Sequence, residues 1–344
     1  MQRPHRNHRL IARLLAPFAI GAAFAALAAL TALTGNAGAA TAQAPAFPNR
    51  PVTIVVPFPA GGITDMIARQ VAQQMQSDLG KPVIVENRPG GGGQIAALAV
   101  KRAEPDGHTV FVAATEMFAI NPGLYRNFSY DPLKDFKPVT ALAASPLVLV
   151  VPQNSPANSV KDLVALAKSR ADGVNYASQG IGSIGHLLGG LFGDKTGGQF
   201  THVAYKGSAP ALQDVMAGQV DMMFDPVITT SPLIKGGKVK ALAIASSKRS
   251  PSLPDVRTLA ELGVPGLDAG VWFGMVVRSG TPDAVVARLN ESALKALKAP
   301  EVAKRFADQG LDPMPMSPQQ FGTFLASEST RWTPLVKASG ASVE

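Results

Sequence analysis

From Pro51 onward the chain alternates short apolar, β-branched runs with longer stretches whose apolar residues recur at helical spacing. VTIVVPF predicts a strand, Thr64 to about Leu79 a helix, PVIVEN a strand, Gln94 to Arg102 a helix and HTVFVAA a strand. That β-α-β-α-β order predicts a parallel sheet. In the first helix Ile67, Val71, Met75 and Leu79 recur every fourth residue while Gln70, Gln73, Gln74 and Asp78 fall elsewhere, so one apolar face should meet the sheet.

A second series follows the proline-spaced segment YDPLKDFKPV. It predicts a strand at PLVLVV, a helix at SVKDLVALAKSR, a strand at VNYAS, a helix from Ser183, a strand at THVAY, a helix at APALQDVMAG and strands at VDMMFD and VKALAIAS. Ser159 and Asp162 form a capping box at one helix start. The chain then passes through VWFGMVV into helices at about Pro282 to Lys298, Glu301 to Gln309 and Ser317 to Lys337, with no full new sheet after them. Such helices need a surface to cover, and the first lobe offers one. The expected organisation is lobe 1 from 43–143, lobe 2 from 144–268, and a return to lobe 1 over 269–344. Crossings near Thr140 to Val151 and Val271 to Val277 would make a cleft with a hinge, the default place for a small ligand.

Residues 1–42 read differently. Arg3, Arg6, Arg9 and Arg13 precede an Ala/Leu-rich run from Leu14 to Leu33 and then small residues, the layout of a secretory signal cleaved after Ala39 or Ala42. The alternative is a retained membrane helix, because the run approaches the roughly 18 to 20 residues that span a bilayer. The chain has no cysteine, so nothing follows the leader to carry a lipid anchor. Removing the leader lowers the net charge from +8 to +4. No Lys/Arg run with interleaved aromatics occurs, which argues against a nucleic-acid partner.

The chemistry available is narrow. Without cysteine there is no thiol nucleophile, thiolate metal site or Fe–S cluster, and only His108, His186 and His202 lie beyond the leader. H-E-x-x-H, G-x-S-x-G and G-x-x-x-x-G-K-[ST] are all absent. What stands out is two glycine-rich loops between a strand and a helix. PFPAGGITD, with Pro59, Ala60, Gly61, Gly62, Thr64 and Asp65, opens the first helix, where backbone N–H groups favour anions; the alternative is a plain turn with Thr64 or Asp65 as N-cap. ASQGIGSIGH, with Ser178, Gly180, Gly182 and Ser183, occupies the matching place in lobe 2, so two facing helix N-termini could hold one carboxylate or two. Gly180, Gly182 and Gly185 spell G-x-G-x-x-G, but the strand that follows ends at Tyr205 and Lys206 instead of an acid that could bind ribose. His186 faces either a ligand or the lobe interior. Asp225 could accept hydrogen bonds from a ligand or cap a helix. Glu116 points either to solvent or into the cleft, and in the cleft it would call for a positive or donor group on the ligand. The Gly90 to Gly93 run reads as a flexible loop, and Trp272 and Phe273 as core or hinge packing.

At these loops the chain resembles the solute-binding proteins of tripartite tricarboxylate transporters, the Bug family. The likeness runs from about Phe47 to Gly340 through ordered blocks that include FPNRPVTIVVPFPAGGITD, VIVENRPGGGG, AEPDGHT, YDPLKDFKPVT, NYASQGIGSIGHL and VAYKGSAPALQDVMAGQVDMMFD. It implies a type II periplasmic-binding-protein fold that closes on its ligand. It also implies a site in which the loops Pro59 to Asp65 and Ser178 to Ser183 grip a carboxylate, with Thr115 and Asp225 at further pocket positions; Tyr205, at the end of its strand, is a further candidate. The expected protein is periplasmic, monomeric, non-enzymatic and free of cofactor or metal, and it passes a small carboxylated ligand to the membrane subunits of a secondary transporter. The alternatives are a nucleotide-dependent oxidoreductase using Gly180 to Gly185, a hydrolase using Ser183, and a sensor acting on a signalling partner. Ile63, Glu116, Met117 and Pro226 depart from residues common in the family, so the resemblance does not carry a tricarboxylate over to this chain.

Overall fold

The computed structural model describes residues 47–343, and the leader with its cleavage site lies outside the described residues. β1 (Val52–Val56), α1 (Ile63–Leu79), β2 (Val83–Asn87), α2 (Gln94–Arg102) and β3 (Thr109–Ala114) follow in the predicted order. β1 lies between β2 and β3 and is parallel to both. Ile67, Val71, Met75 and Leu79 of α1 are buried as their spacing requires. Gln70 is buried as well, against expectation. The cause is that α1 is packed both on the sheet and against a C-terminal helix, α8 (Asp283–Lys298).

After β3 comes a π-helical turn, Glu116–Ile120, and a short helix α3 (Asn121–Leu124), neither of which the periodicity announced. β4 (Phe136–Pro152) is a single strand of 17 residues that starts well before PLVLVV. Pro138 and Pro146 concealed it, since proline within a run argues against a strand. Pro138 sits at a register shift, and Pro146 ends the stretch paired with β9 (Gly270–Arg278). From Leu147 onward β4 pairs instead with β7 (Met222–Pro226) and β8 (Val239–Ala245). One strand thus serves both lobes, and the chain returns between Ala269, bonded to Ala245, and Gly270, paired with Pro146.

The second lobe contains α4 (Val160–Ser169), β5 (Val174–Ser178), α5 (Ile184–Thr196), β6 (Phe200–Ala204), α6 (Ser208–Met216), β7, α7 (Val227–Lys235) and β8. β5 is flanked by β6 and β7, all parallel. The sheet is therefore mixed: parallel in each lobe's outer part and antiparallel where β4 and β9 run side by side. α7 escaped the sequence reading because Pro232 lies inside it. Ser159 caps α4 by accepting from Asp162 N at 3.1 Å, while the Asp162 carboxylate accepts from Asn158 N instead of from Ser159 itself. α8 packs on α1 and β4, α9 (Pro300–Asp308) packs on α8, and α10 (Pro318–Ala338) packs on β4, α3 and the π-helical turn. Among the described residues no helix is long and apolar enough to cross a membrane.

Candidate ligand-binding cleft

A cavity of about 620 Å³ opens between the two glycine-rich loops. That volume falls in the roughly 300–1,000 Å³ range of small-molecule sites. The first loop gives Phe58, Pro59, Ala60, Gly62, Ile63 and Thr64, and the second gives Gln179, Gly180, Ile181, Gly182 and Ser183. The floor comes from Ala114, Glu116, Met117, Ile120, Asn121, Leu124, Val271 and Phe273. Of the residues expected at a site, Pro59, Ala60, Gly62, Thr64, Glu116, Gly180, Gly182 and Ser183 are brought together here, whereas Gly61, Asp65, Thr115, Ser178, Tyr205 and Asp225 are not in the lining.

The first loop is held from behind. The N-cap of α1 is Gly62, not Thr64 or Asp65, and no side chain caps this helix. Asp65 is buried in the first turn, where its carboxylate accepts from Gly61 N at 2.9 Å, Asn87 Nδ2 at 2.9 Å and Arg69 Nε at 3.0 Å. Asn87 also donates to Phe58 O at 3.0 Å, so the loop is clamped at both ends. Burial pushes the Asp65 carboxyl up, but Arg69, Gly61 and Asn87 together hold it below the usual carboxylate range. Gly61, at φ +85°, makes the turn that aims its N–H backward. The first-turn N–H groups of α1 beside the cavity have no side-chain cap, the condition under which a helix start receives an anion.

The second loop is knotted on itself. Ser178 Oγ donates to Gly180 O at 3.0 Å, accepts from Gly180 N at 3.1 Å and lies 2.7 Å from His202 Nε2. Ser183 caps α5: its Oγ accepts from His186 N at 3.3 Å and donates to Gly180 O at 2.7 Å. Gly182 N donates to His186 Nδ1 at 3.1 Å, and the His186 ring stacks on His202 with centroids 3.9 Å apart. His186 is thus turned toward the lobe, with its proton affinity lowered by burial. His202 is pushed down to about 4, by burial and then by the neighbouring His186. Ser178 is fully buried, so its contact with His202 is a fastening beneath the loop and not an accessible nucleophile.

The remaining expected residues are occupied elsewhere. Thr115 Oγ1 exchanges hydrogen bonds with the Trp272 backbone, accepting from its N at 2.8 Å and donating to its O at 3.2 Å, which pins the end of β3 to β9. Tyr205 donates its hydroxyl to Asp214 at 2.6 Å. Asp225 is fully buried and accepts from Gln179 Nε2 at 2.6 Å, Ser208 Oγ at 2.5 Å and Thr229 Oγ1. Burial raises its proton affinity against the pull of those three donors. Gln179 therefore stands between Asp225 and the cavity. Sequence reasoning passed over Gln179 and Asn121, the latter buried with its amide donated to Gly92 O at 2.9 Å. The glycine run is not a loose loop: a β-carbon on Gly92 would lie 2.0 Å from the Tyr125 hydroxyl.

Glu116 is half-buried in the lining. Burial raises its carboxyl above the usual range, opposed only by a bond from its own backbone N–H. A second cavity, about 400 Å³, is lined by Lys248, Trp272, Asp312, Glu328 and Arg331 among others.

A model of the tripartite tricarboxylate transporter family receptor, TctC, matches residues 67–341. Protein BugT of Bordetella pertussis is 37% identical over 303 residues, 88% of this chain and 93% of that protein. Among solved structures, Rpa4515 of R. palustris with adipate is 36% identical at a TM-score of 0.74, over 86% of this chain and 100% of that one. MatC from Rhodopseudomonas palustris with bound malate is also 36% identical, at a TM-score of 0.69 over 84% and 100% of the two chains.

Proposed function

The chain belongs to the tripartite tricarboxylate transporter receptor family, and from that premise we propose that it is an exported periplasmic receptor that closes its lobes on a small carboxylate-bearing ligand and delivers it to the membrane subunits of a tripartite transporter. The type II periplasmic-binding-protein fold suits this role, because β4 and β9 can flex where β4 changes partners while each lobe moves as a body. The observation that carries the reading is the cavity between Pro59–Thr64 and Gln179–Ser183, with an uncapped helix start on its rim. The dicarboxylates bound by Rpa4515 and MatC support a carboxylate ligand. We assign 43–143 and 269–344 to lobe 1 and 144–268 to lobe 2, and read the protein as a monomer without enzymatic activity.

In this reading the first-turn N–H groups of α1 and the Thr64 hydroxyl receive the carboxylate. Asp65 is a positioning residue that fixes the loop through Gly61, and Gln179 extends the reach of the buried Asp225. The test is a thermal-shift screen of mature protein refolded to remove carried-over solute, run against carboxylates, amino acids and aromatic acids. A ligand at 100 times its Kd adds about 2.7 kcal/mol to the folded state. The expected result is a rise in Tm confined to one carboxylate series. A rise with a dinucleotide and none with any carboxylate would overturn the proposal.

A further inference from the structure

The charge of the cavity limits what can enter it. Among the described residues, Glu116 is the one ionisable side chain in the lining, which contains no Lys, Arg or His. The charged groups just behind the lining do not change this balance. Asp65 is paired with Arg69, Asp225 is buried among neutral donors, and the His186 ring is held with its Nδ1 accepting from Gly182. N–H groups at the start of α1 can take one carboxylate. A second carboxylate would meet Glu116 in an apolar space without a cation to offset it, and like charges repel more strongly there than in water.

The backbone on either side of Glu116 is anchored. Thr115, before it, is bonded to the Trp272 backbone, and Met117, after it, accepts from Tyr130 Oη at 2.7 Å through its carbonyl.

Building on the carboxylate-receptor reading, we propose that Glu116 is a specificity-determining residue and that the ligand is an amino carboxylate. Its carboxylate sits on the first-turn N–H groups of α1, its ammonium on Glu116, and its apolar body against Phe58, Ile63, Met117, Ile120 and Phe273. An ammonium beside Glu116 restores the ionised carboxylate that burial alone disfavours, so ligand and side chain neutralise each other.

Calorimetric titration of the mature protein with matched pairs tests this: leucine against 4-methylpentanoate, phenylalanine against 3-phenylpropanoate and 4-aminobutyrate against butyrate, with adipate and malate alongside, for wild type and Glu116→Gln. Hydrogen bonds to charged groups correspond to roughly tenfold or more in affinity. At least one amino acid should bind wild type about tenfold or more tighter than its deaminated partner. In Glu116→Gln that ratio should fall toward one through weaker binding of the amino acid, with thermal unfolding checking that the variant folds and Glu116→Ala repeating the result. Deaminated acids binding wild type as well as or better than their amino partners would overturn the inference and leave the carboxylate-receptor reading standing. The inference is overturned in the same way if the preference survives Glu116→Gln, or if a dicarboxylate binds wild type more tightly than the variant, which would make Glu116 a protonated donor. Wild type that binds none of these acids would sink the receptor reading and the inference together.

Discussion

The loops Pro59–Asp65 and Ser178–Ser183 occupy equivalent places, each leading from a parallel strand into a helix, yet they are stabilised in opposite ways. The first is clamped from behind by one buried carboxylate, and its helix start has no side-chain cap. The second spends its own groups: Gly180 N, Gly182 N, Ser183 N and both serine hydroxyls are bonded within the lobe. Two loops with the same glycine-rich composition therefore differ at their helix starts: that of α1 has no side-chain cap, whereas Ser183 caps α5 through His186 N. The first can donate to a ligand, whereas the second supplies a rigid wall with Gln179 and Ile181 on it.

Removing Asp65 should separate the two most. Asp65→Ala leaves Gly61, Asn87 and Arg69 without their acceptor, and the expected cost is about 2–3 kcal/mol in denaturant unfolding. A loss of carboxylate affinity of about 100-fold, read by calorimetry, should accompany it. Because the Asp65 carboxyl is held below its ordinary value, its contribution is present at neutral pH and is lost as pH falls through that depressed value.

The second loop should betray itself by pH. His202 binds fewer protons folded than unfolded, so the stability its neutral ring provides is in place above pH 6.5 and drains as pH falls toward about 4. The drop should be on the order of 2–3 kcal/mol across that window. His202→Gln should flatten Tm against pH there. Ser178→Ala should cost less, about 1–2 kcal/mol, with carboxylate affinity within about threefold of wild type. If Ser178→Ala instead weakens binding more than Asp65→Ala does, the assignment of roles to the two loops is reversed. Smallest of all is Gly61→Ala. Open space surrounds that position, so only the strain of φ +85° remains, about 1 kcal/mol, detectable as a small fall in Tm.

Most of the fold was legible because strands of β-branched residues and helices with four-residue apolar spacing are local signals. α2 matches its expected bounds, and the three C-terminal helices fall within about two residues of theirs. What was missed depends on partners distant in sequence. Pro138 and Pro146 are tolerated in β4 only because β9 shifts register at one and pairing passes to β7 and β8 at the other. The candidate site divides in the same way. Glycine spacing announced both loops, but whether a serine or aspartate faces a ligand or its own backbone depends on which donors the fold brings near. Asp65, Thr115, Ser178 and Asp225 are all satisfied from within. Gln179 carries no sequence signal, since only the buried Asp225 behind it gives it a place in the wall.

The most direct test of the two-loop account is a crystal structure of the mature protein with the carboxylate that raises its Tm most. The expected result is ligand carboxylate oxygens within hydrogen-bond distance of the N–H groups at the start of α1, with Gln179 and Ile181 brought against the ligand's other side. A carboxylate bound instead on Lys248 and Arg331 in the second cavity, with the cleft between the loops left to solvent, would contradict it.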